Sequence, residues 1–106
     1  MHFQVDYDQS IIKSDYHLFL NKLIRVINGH SDLRIKVTGH TDSDGSDEYN
    51  IALSKRRSEA IIQYFQMNGL DRDKVKIDFK GEKEPVESNQ TKQGKQKNRR
   101  VDFSFI

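Results

Sequence analysis

The sequence predicts an α/β fold, a two-layer sandwich in which helices pack on one face of a small mixed sheet. Four segments alternate apolar and polar residues with the period of two that is typical of half-buried strands. Two further segments repeat apolar residues at the spacing of an amphipathic helix. The chain has 106 residues and shows no internal repeat or linker, so residues 1–106 are expected to form one domain. The predicted order is strand, helix, strand, helix, strand, strand.

Each predicted strand has one apolar face and one polar face. This pattern indicates a sheet that is covered by helices on a single side. The apolar faces are, in chain order, Phe3, Val5 and Tyr7; Leu33, Ile35 and Val37; Val75, Ile77 and Phe79; and Val101, Phe103 and Phe105.

Two amphipathic helices alternate with the first three strands. The first is expected to begin after Ser14, a suitable N-cap, and to stop at Gly29. The second is expected to end near Asn68 and Gly69. A polar stretch at 81–100 separates the last two strands. The apolar stripes are Tyr16, Leu20, Leu23, Ile24 and Ile27 in the first helix and Leu53, Ala60, Ile61, Tyr64 and Phe65 in the second.

The composition excludes several kinds of protein. Cysteine is absent, which rules out disulfides, thiol nucleophiles and thiolate zinc sites. No apolar run approaches the roughly 20 residues of a membrane-spanning helix, so the domain is not expected to insert into a membrane. The first residues lack the basic and apolar regions of an export signal.

The charge is small overall but unevenly distributed. The net charge is +2, from 18 basic and 16 acidic residues, which is too small to imply a polyanionic partner. Residues 1–50 hold five Lys or Arg against eight Asp or Glu, whereas residues 51–106 hold thirteen against eight. An acidic half beside a basic half fits a zwitterionic ligand as well as it fits nucleic acid.

Arg57 is an anomaly in the second helix. At about 100° per residue, its side chain falls inside the apolar stripe that contains Leu53, Ile61 and Tyr64. A guanidinium is unfavourable in that position unless an anion meets it. One interpretation is that Arg57 pairs with an internal carboxylate or extends past the core to water. The other is that it is held for an anionic ligand.

The acidic segment from Gly39 to Glu48 connects the second strand to the second helix. Loops beyond the C-terminal ends of strands are the usual ligand sites of α/β folds, and the helix that follows favours anions at its N-terminus. The acidic residues could instead bind calcium. However, aligning Gly45 with the invariant glycine of an EF-hand loop puts His40 at the first ligand position. No metal or cofactor is therefore expected.

Catalysis and nucleic-acid binding are also disfavoured. His40 and Asp42 could form a catalytic pair, but no serine in a nucleophile-elbow context accompanies them. The run from Lys92 to Arg100 holds five basic residues that could contact phosphates. It lacks interleaved aromatic residues, so we interpret it as a solvated loop and expect no nucleic-acid partner.

Three ordered motifs resemble the OmpA C-terminal-like family. Residues 39–58 are similar to the family pattern G-H-T-D-x-x-G-x-x-x-Y-N-x-x-L-S-x-x-R-A. Residues 85–101 resemble the pattern P-V-x-x-N-x-T-x-x-G-x-x-x-N-R-R-V, and residues 5–12 resemble the opening F-D-x-D-x-S-x-I. The resemblance covers nearly the whole chain.

Members of that family bind peptidoglycan non-covalently and recognise the diaminopimelate of its stem peptide. By position, Asp42 resembles the aspartate that meets the ammonium group of the ligand. Arg57 resembles the arginine that meets its carboxylate. Further matching positions, the last two from the loop after the first strand, are Asn50, Arg99, Tyr7 and Asp8.

The resemblance implies a non-enzymatic domain that anchors an outer-membrane or other envelope protein to the cell wall. The domain would lie in the periplasm of a Gram-negative bacterium, as an excised part of a larger envelope protein. Its partner would be peptidoglycan with a diaminopimelate-containing stem peptide. Association of two copies of the chain into a homodimer is a further possibility. The alternative is an OmpA-like interaction or oligomerisation domain that no longer binds the wall. A peptidoglycan hydrolase is less favoured, because neither a metal set nor an acid–base pair is evident.

The chain departs from the family pattern at two places. Many members have Gly-Tyr-Gly after the third strand, where this chain has Phe79, Lys80 and Gly81. The missing first glycine leaves the geometry of that turn open. Ser58 stands where alanine is usual, and this small change is expected to be harmless.

Overall fold

A four-stranded mixed sheet with helices on one face makes up the fold, which a computed structural model describes for residues 2–4 and 16–106. The fold class and the predicted order of strands and helices are confirmed. The predicted positions Val5, Tyr7 and Ser14 lie outside the described residues. The elements are β1 (His2–Gln4), α1 (His17–Asn28), β2 (Ile35–His40), α2 (Asp47–Met67), a 3-10 turn (Arg72–Lys74), β3 (Val75–Gly81), α3 (Lys92–Asn98) and β4 (Arg100–Phe105).

The sheet has the strand order β1-β4-β2-β3. Strands β2 and β3 pair in parallel and are connected by α2, which gives a βαβ unit. Strand β4 pairs antiparallel with both β1 and β2. Val37 stands opposite Ile77 in β3 and opposite Phe103 in β4. The apolar positions of neighbouring strands therefore share one face of the sheet.

The hydrophobic core lies between that face and the two long helices. The ring of Phe103 lies edge-on to Phe19 at 5.6 Å and to Phe65 at 6.5 Å between centroids. Phe105, which was predicted on the apolar face, is 43% exposed at the end of β4. Each fully buried aliphatic or aromatic side chain stabilises the fold by about 1.5–3 kcal/mol. The buried core residues are Leu20, Leu23, Ile24, Ile27, Ile35, Val37, Ile61, Ile62, Phe65, Leu70, Val75, Val101 and Phe103.

Helix α2 begins with a polar turn. The hydroxyl of Ser46, its N-cap, accepts a hydrogen bond from the backbone N–H of Tyr49 at 3.1 Å. Asp47 and Glu48 lie in the first turn, where negative charge is favourable. This polar start explains why the apolar stripe revealed the helix only from Leu53 onward.

The inner face of α2 changes character along its length. From Ile61 onward it buries apolar side chains against the core, whereas from Asn50 to Ser58 it buries mostly polar ones. A helix with this inner face does not show a clean apolar stripe over its full length. The buried residues are Asn50, Leu53, Ser54, Arg57, Ser58, Ile61, Ile62 and Phe65.

Helix α3 corrects the interpretation of the basic run as a solvated loop. The hydroxyl of Thr91 caps this helix by accepting a hydrogen bond from the N–H of Gly94 at 2.9 Å. Arg100, the last residue of that run, is only 4% exposed and lies in β4. A glycine within seven helical residues and the lack of an apolar stripe hid the helix from the sequence pattern.

Gly81 supplies the turn that the departure from Gly-Tyr-Gly left open. It adopts φ +58°, a conformation that glycine tolerates well. A Cβ at this position would also lie 2.9 Å from Cδ1 of Ile51. Phe79 lies in β3 and pairs with Gly39 of β2. Its backbone is an ordinary strand, so a glycine is not needed at this position. Ser58 is buried and its hydroxyl donates to the carbonyl of Asp78 at 2.8 Å, so this residue ties α2 to β3.

Gly39 allows α2 to cross very close to β2. A Cβ at Gly39 would collide with the carbonyl oxygen of Ser54 and lie 2.7 Å from the hydroxyl of Ser58. The first of these contacts is with backbone, which has no rotamer to move away. The distance between helix and strand at this point is therefore set by a residue without a side chain.

Replacing Gly39 with alanine should destabilise the domain by about 3 kcal/mol or more, because α2 must shift away from β2. Urea denaturation followed by circular dichroism measures this loss. Gly29→Ala is the control, since an added Cβ there meets nothing closer than 3.3 Å. Equal midpoints for the two variants would contradict the close approach.

Candidate functional site

Three of the four described candidate residues lie at the C-terminal end of β2 and in the first half of α2. Asp42 is 2% exposed, Asn50 is 1% exposed and Arg57 is 1% exposed. Asn50 and Arg57 are seven residues apart on α2, so they lie on the same face of the helix. Two charged side chains and an amide are thus buried where the sheet ends.

Arg57 is held at the backbone of β2. Its Nη1 donates a hydrogen bond to the carbonyl oxygen of His40 at 2.8 Å. The side chain is among the largest that are fully buried in the described chain, so it does not extend past the core to water. The predicted inward orientation is therefore observed, and it places the guanidinium against His40, two residues before Asp42 in the chain.

Asp42 organises the loop between β2 and α2. Its Oδ1 accepts a hydrogen bond from the backbone N–H of Asp44 at 2.9 Å, which closes a local turn. Its Oδ2 accepts one from Nη1 of Arg99 at 2.7 Å. The carboxylate is thus fixed in orientation by one backbone donor and one charged donor.

Two ion pairs connect this loop to the region of α3. Arg99, just after α3, pairs with Asp42, as described above. Nζ of Lys95 lies 2.9 Å from Oδ1 of Asp44. The sequence pattern did not identify Lys95 as a partner, because the two residues are far apart in the chain and neighbouring basic residues look equivalent.

Asn98 holds the connection between β3 and β4 against the site. This fully buried side chain accepts from the N–H groups of Val86 and Glu87 at 2.8 and 3.0 Å. Its amide donates to Oδ1 of Asn89 at 2.8 Å, and the same oxygen accepts from the N–H of Ser43 at 3.3 Å. The two asparagines of the motif at 85–101, Asn89 and Asn98, therefore position the loop that carries Asp42.

Two buried polar atoms at the site find no hydrogen-bond partner within the described part of the chain: Nδ2 of Asn50 and Nδ1 of His40. Leaving a buried donor unsatisfied costs about 1–3 kcal/mol. Oδ1 of Asn50 lies near Gly45, 3.9 Å from where a Cβ would be. The side-chain amide of Asn50 therefore lies beneath the loop between β2 and α2, and its Nδ2 is available as a hydrogen-bond donor.

His40 is tied to β4 through Asp102. Its Nε2 donates to Oδ2 of Asp102 at 3.0 Å, and Nε of Arg100 donates to Oδ1 of the same carboxylate at 3.0 Å. Burial acts to raise the pKa of Asp102, but the hydrogen bond from His40 and the charge of Arg100 together lower it below 3.8. The carboxylate is thus ionised in the folded state down to lower pH than in an unfolded chain.

Because the pKa of Asp102 is lowered on folding, its contribution to stability is present above the unfolded value and is lost as pH falls through the folded value. The free energy of unfolding should therefore fall between about pH 5 and about pH 3 more steeply in the wild type than in Asp102→Asn. Urea denaturation at a series of pH values measures both slopes. Asp73→Asn, an exposed position in the 3-10 turn, should keep the wild-type slope. Parallel slopes for wild type and Asp102→Asn would contradict the argument.

Tyr7 and Asp8, predicted to line the pocket, lie outside the described residues, so their roles stay predictions. The described residues contain no cluster of three side chains suited to hold a metal ion. None of the helices in the described ranges is long and apolar enough to cross a membrane.

The comparison with protein families shows to which family the chain belongs. A sequence profile of the OmpA family matches residues 6–99. The chain belongs to the OmpA family. The resemblance that the three motifs indicated is therefore confirmed, and Asp42, Asn50, Arg57 and Arg99 all lie within the matched residues.

Curated relatives within the OmpA family include longer proteins. The peptidoglycan-associated lipoprotein of Legionella pneumophila is 31% identical over 99 residues, which are 93% of this chain and 56% of the lipoprotein. The peptidoglycan-binding protein ArfA of Mycobacterium bovis is 34% identical over 94 residues, which are 89% of this chain and 28% of ArfA. The chain thus spans about half of the first relative and less of the second.

A solved structure supports the OmpA-family fold. The crystal structure of the peptidoglycan-associated lipoprotein from Burkholderia pseudomallei superposes with a TM-score of 0.95 at 25% identity. The superposition covers 99% of this chain and 89% of the lipoprotein chain. The arrangement of strands and helices described above is therefore that of an OmpA-like domain.

Proposed function

We propose that this chain binds peptidoglycan non-covalently through the diaminopimelate of the stem peptide. In this role it anchors an envelope protein to the cell wall from the periplasm, without catalysis. The names of two relatives, a peptidoglycan-associated lipoprotein and a peptidoglycan-binding protein, support the wall as the partner. The observation that carries the proposal is the buried guanidinium of Arg57, which is hydrogen-bonded to the carbonyl oxygen of His40, two residues before the buried Asp42.

The distal end of diaminopimelate carries an ammonium group and a carboxylate on one carbon. A guanidinium presents a planar fork of N–H donors that matches a carboxylate, and an aspartate accepts from an ammonium group. Arg57 and Asp42 supply these complementary charges at the same strand end. The amide of Asn50 adds a neutral donor beneath the loop.

Asp42 can accept the ammonium group without releasing Arg99. Each carboxylate oxygen has two lone pairs, and the two hydrogen bonds described for Asp42 use one on each oxygen. Arg99 then acts as a positioning residue, which keeps the carboxylate correctly oriented. Each charged hydrogen bond to the ligand contributes about 1.5–3 kcal/mol, so a single domain binds modestly and repeated wall sites increase retention.

Co-sedimentation with insoluble peptidoglycan of the diaminopimelate type tests the proposal. The chain should appear in the pellet, soluble diaminopimelate should release it, and insoluble chitin should not retain it. The turbidity of the wall suspension should stay constant, as expected of a binding module. A chain that stays in the supernatant would contradict wall anchoring and favour an interaction domain that has lost it.

A further inference from the structure

A basic cleft lies beside the candidate diaminopimelate site, between α3 and the loop that follows β2. Its volume is about 490 Å³, which is within the usual range for a ligand site. Three of the five residues that line it are cationic and one is acidic. The lining residues are Asp44, Lys92, Lys95, Gln96 and Arg99.

The cleft keeps an excess of positive charge after its ion pairs are counted. Lys95 is paired with Asp44 at 2.9 Å, and Arg99 is paired with Asp42 at 2.7 Å. Lys92 is exposed and forms no ion pair with any residue from 16 to 106. Because Lys92 and Lys95 are three residues apart on α3, they lie on the same side of that helix.

Arg99 makes this cleft continuous with the candidate site. Its guanidinium bonds to Asp42 on one side, and the residue lines the cleft on the other. Arg99 therefore lies between Asp42 and the cleft lined by Lys92, so the cleft is the neighbouring surface for a ligand whose ammonium group is held by Asp42. An anionic group attached to that ligand fits the charge of the cleft.

We propose that the cleft binds a second carboxylate of the same stem peptide, the free α-carboxylate of the D-glutamate next to diaminopimelate, with Lys92 as its cationic partner. The inference rests on the function proposed above and deepens it. D-Glutamate is linked through its side-chain carboxyl group, so its α-carboxylate remains ionised and available. A terminal D-alanine carboxylate has the same chemistry and is distinguished by the experiment.

The test measures binding of three soluble ligands by calorimetry: free diaminopimelate, the tripeptide L-alanyl-γ-D-glutamyl-diaminopimelate, and the same tripeptide with D-isoglutamine. We expect the amide to bind about three- to fivefold more weakly than the acid, as befits one exposed ion pair. Lys92→Gln should weaken the acid by the same factor and leave the amide and free diaminopimelate unchanged. Lys76→Gln, an exposed lysine of β3, is the matched control and should change nothing.

The outcomes separate this inference from the proposed function. If all three ligands bind and Lys92→Gln weakens none of them, the cleft assignment is overturned while diaminopimelate recognition stands. If none of them binds, the proposed function fails and the cleft assignment falls with it. The last measurement uses a tetrapeptide that ends in D-alanine, with the wild type and with Lys92→Gln. A Lys92 effect that appears only with this ligand would assign the cleft to the terminal carboxylate and overturn the choice of glutamate.

Discussion

Replacing Arg57 with alanine should reduce binding to diaminopimelate-type peptidoglycan about a hundredfold, while the domain remains folded. In the proposed binding mode, the variant loses the charged, forked contact to the ligand carboxylate, which is worth about 1.5–3 kcal/mol. It also leaves the buried carbonyl of His40 without the hydrogen bond from Nη1. That loss and the cavity should lower the free energy of unfolding by about 2–4 kcal/mol, which a domain of ordinary stability survives.

Co-sedimentation and urea denaturation should be run in parallel on this variant. Arg56→Ala is the matched control, since Arg56 is its exposed neighbour on α2 and carries the same charge. The control should bind and unfold like the wild type. Unchanged pelleting of Arg57→Ala would remove Arg57 from the ligand site. A variant that no longer folds at 25 °C would indicate that Arg57 has a structural role in the core.

Stem-peptide fragments that contain diaminopimelate should bind about thirty- to a hundredfold more tightly than those that contain lysine at the same position, a difference of roughly 2–3 kcal/mol. The two residues differ by one carboxylate on the carbon that carries the distal amine. In the proposed binding mode, Asp42 meets the ammonium group of either residue. Only diaminopimelate gives Arg57 a ligand carboxylate. With lysine, the guanidinium is desolvated but has no ligand carboxylate to pair with, and this cost lowers the affinity for the lysine fragment.

Calorimetry with matched soluble fragments measures this preference. Arg57→Ala should abolish it, because the carboxylate then has no partner. Asp42→Asn should weaken both fragments by a similar factor, because each keeps its ammonium group. Equal affinities of the wild type for the two fragments would show that Arg57 does not read the carboxylate.

The apolar patterns of this chain predicted most of the fold. Alternation in three of the described strands and the stripe of α1 agree with the observed core, because those elements bury one continuous apolar face. Gly29 ends α1 as predicted, acting as its C-cap. Helix α3 was not predicted, because it is held by the cap of Thr91 and by the amide of Asn98 rather than by an apolar stripe.

The candidate site was predictable only in part. Arg57 could be singled out because a guanidinium inside an apolar stripe conflicts with the cost of burying charge. The pairs Arg99–Asp42 and Lys95–Asp44 could not be derived from local pattern, because they join distant parts of the chain. The hydrogen bond from His40 to Asp102 depends in the same way on the pairing of β2 with β4.

The change in the inner face of α2 divides this helix into two parts with different roles. Ile61 and Phe65 belong to the part that holds the sheet, while Asn50 and Arg57 belong to the part that faces the candidate site. Selection can therefore alter recognition without dismantling the core, provided that substitutions stay in the N-terminal half of the helix and its neighbours. The same division offers protein engineers a scaffold in which specificity is rewritten on one half of a helix while the other half is left as it is.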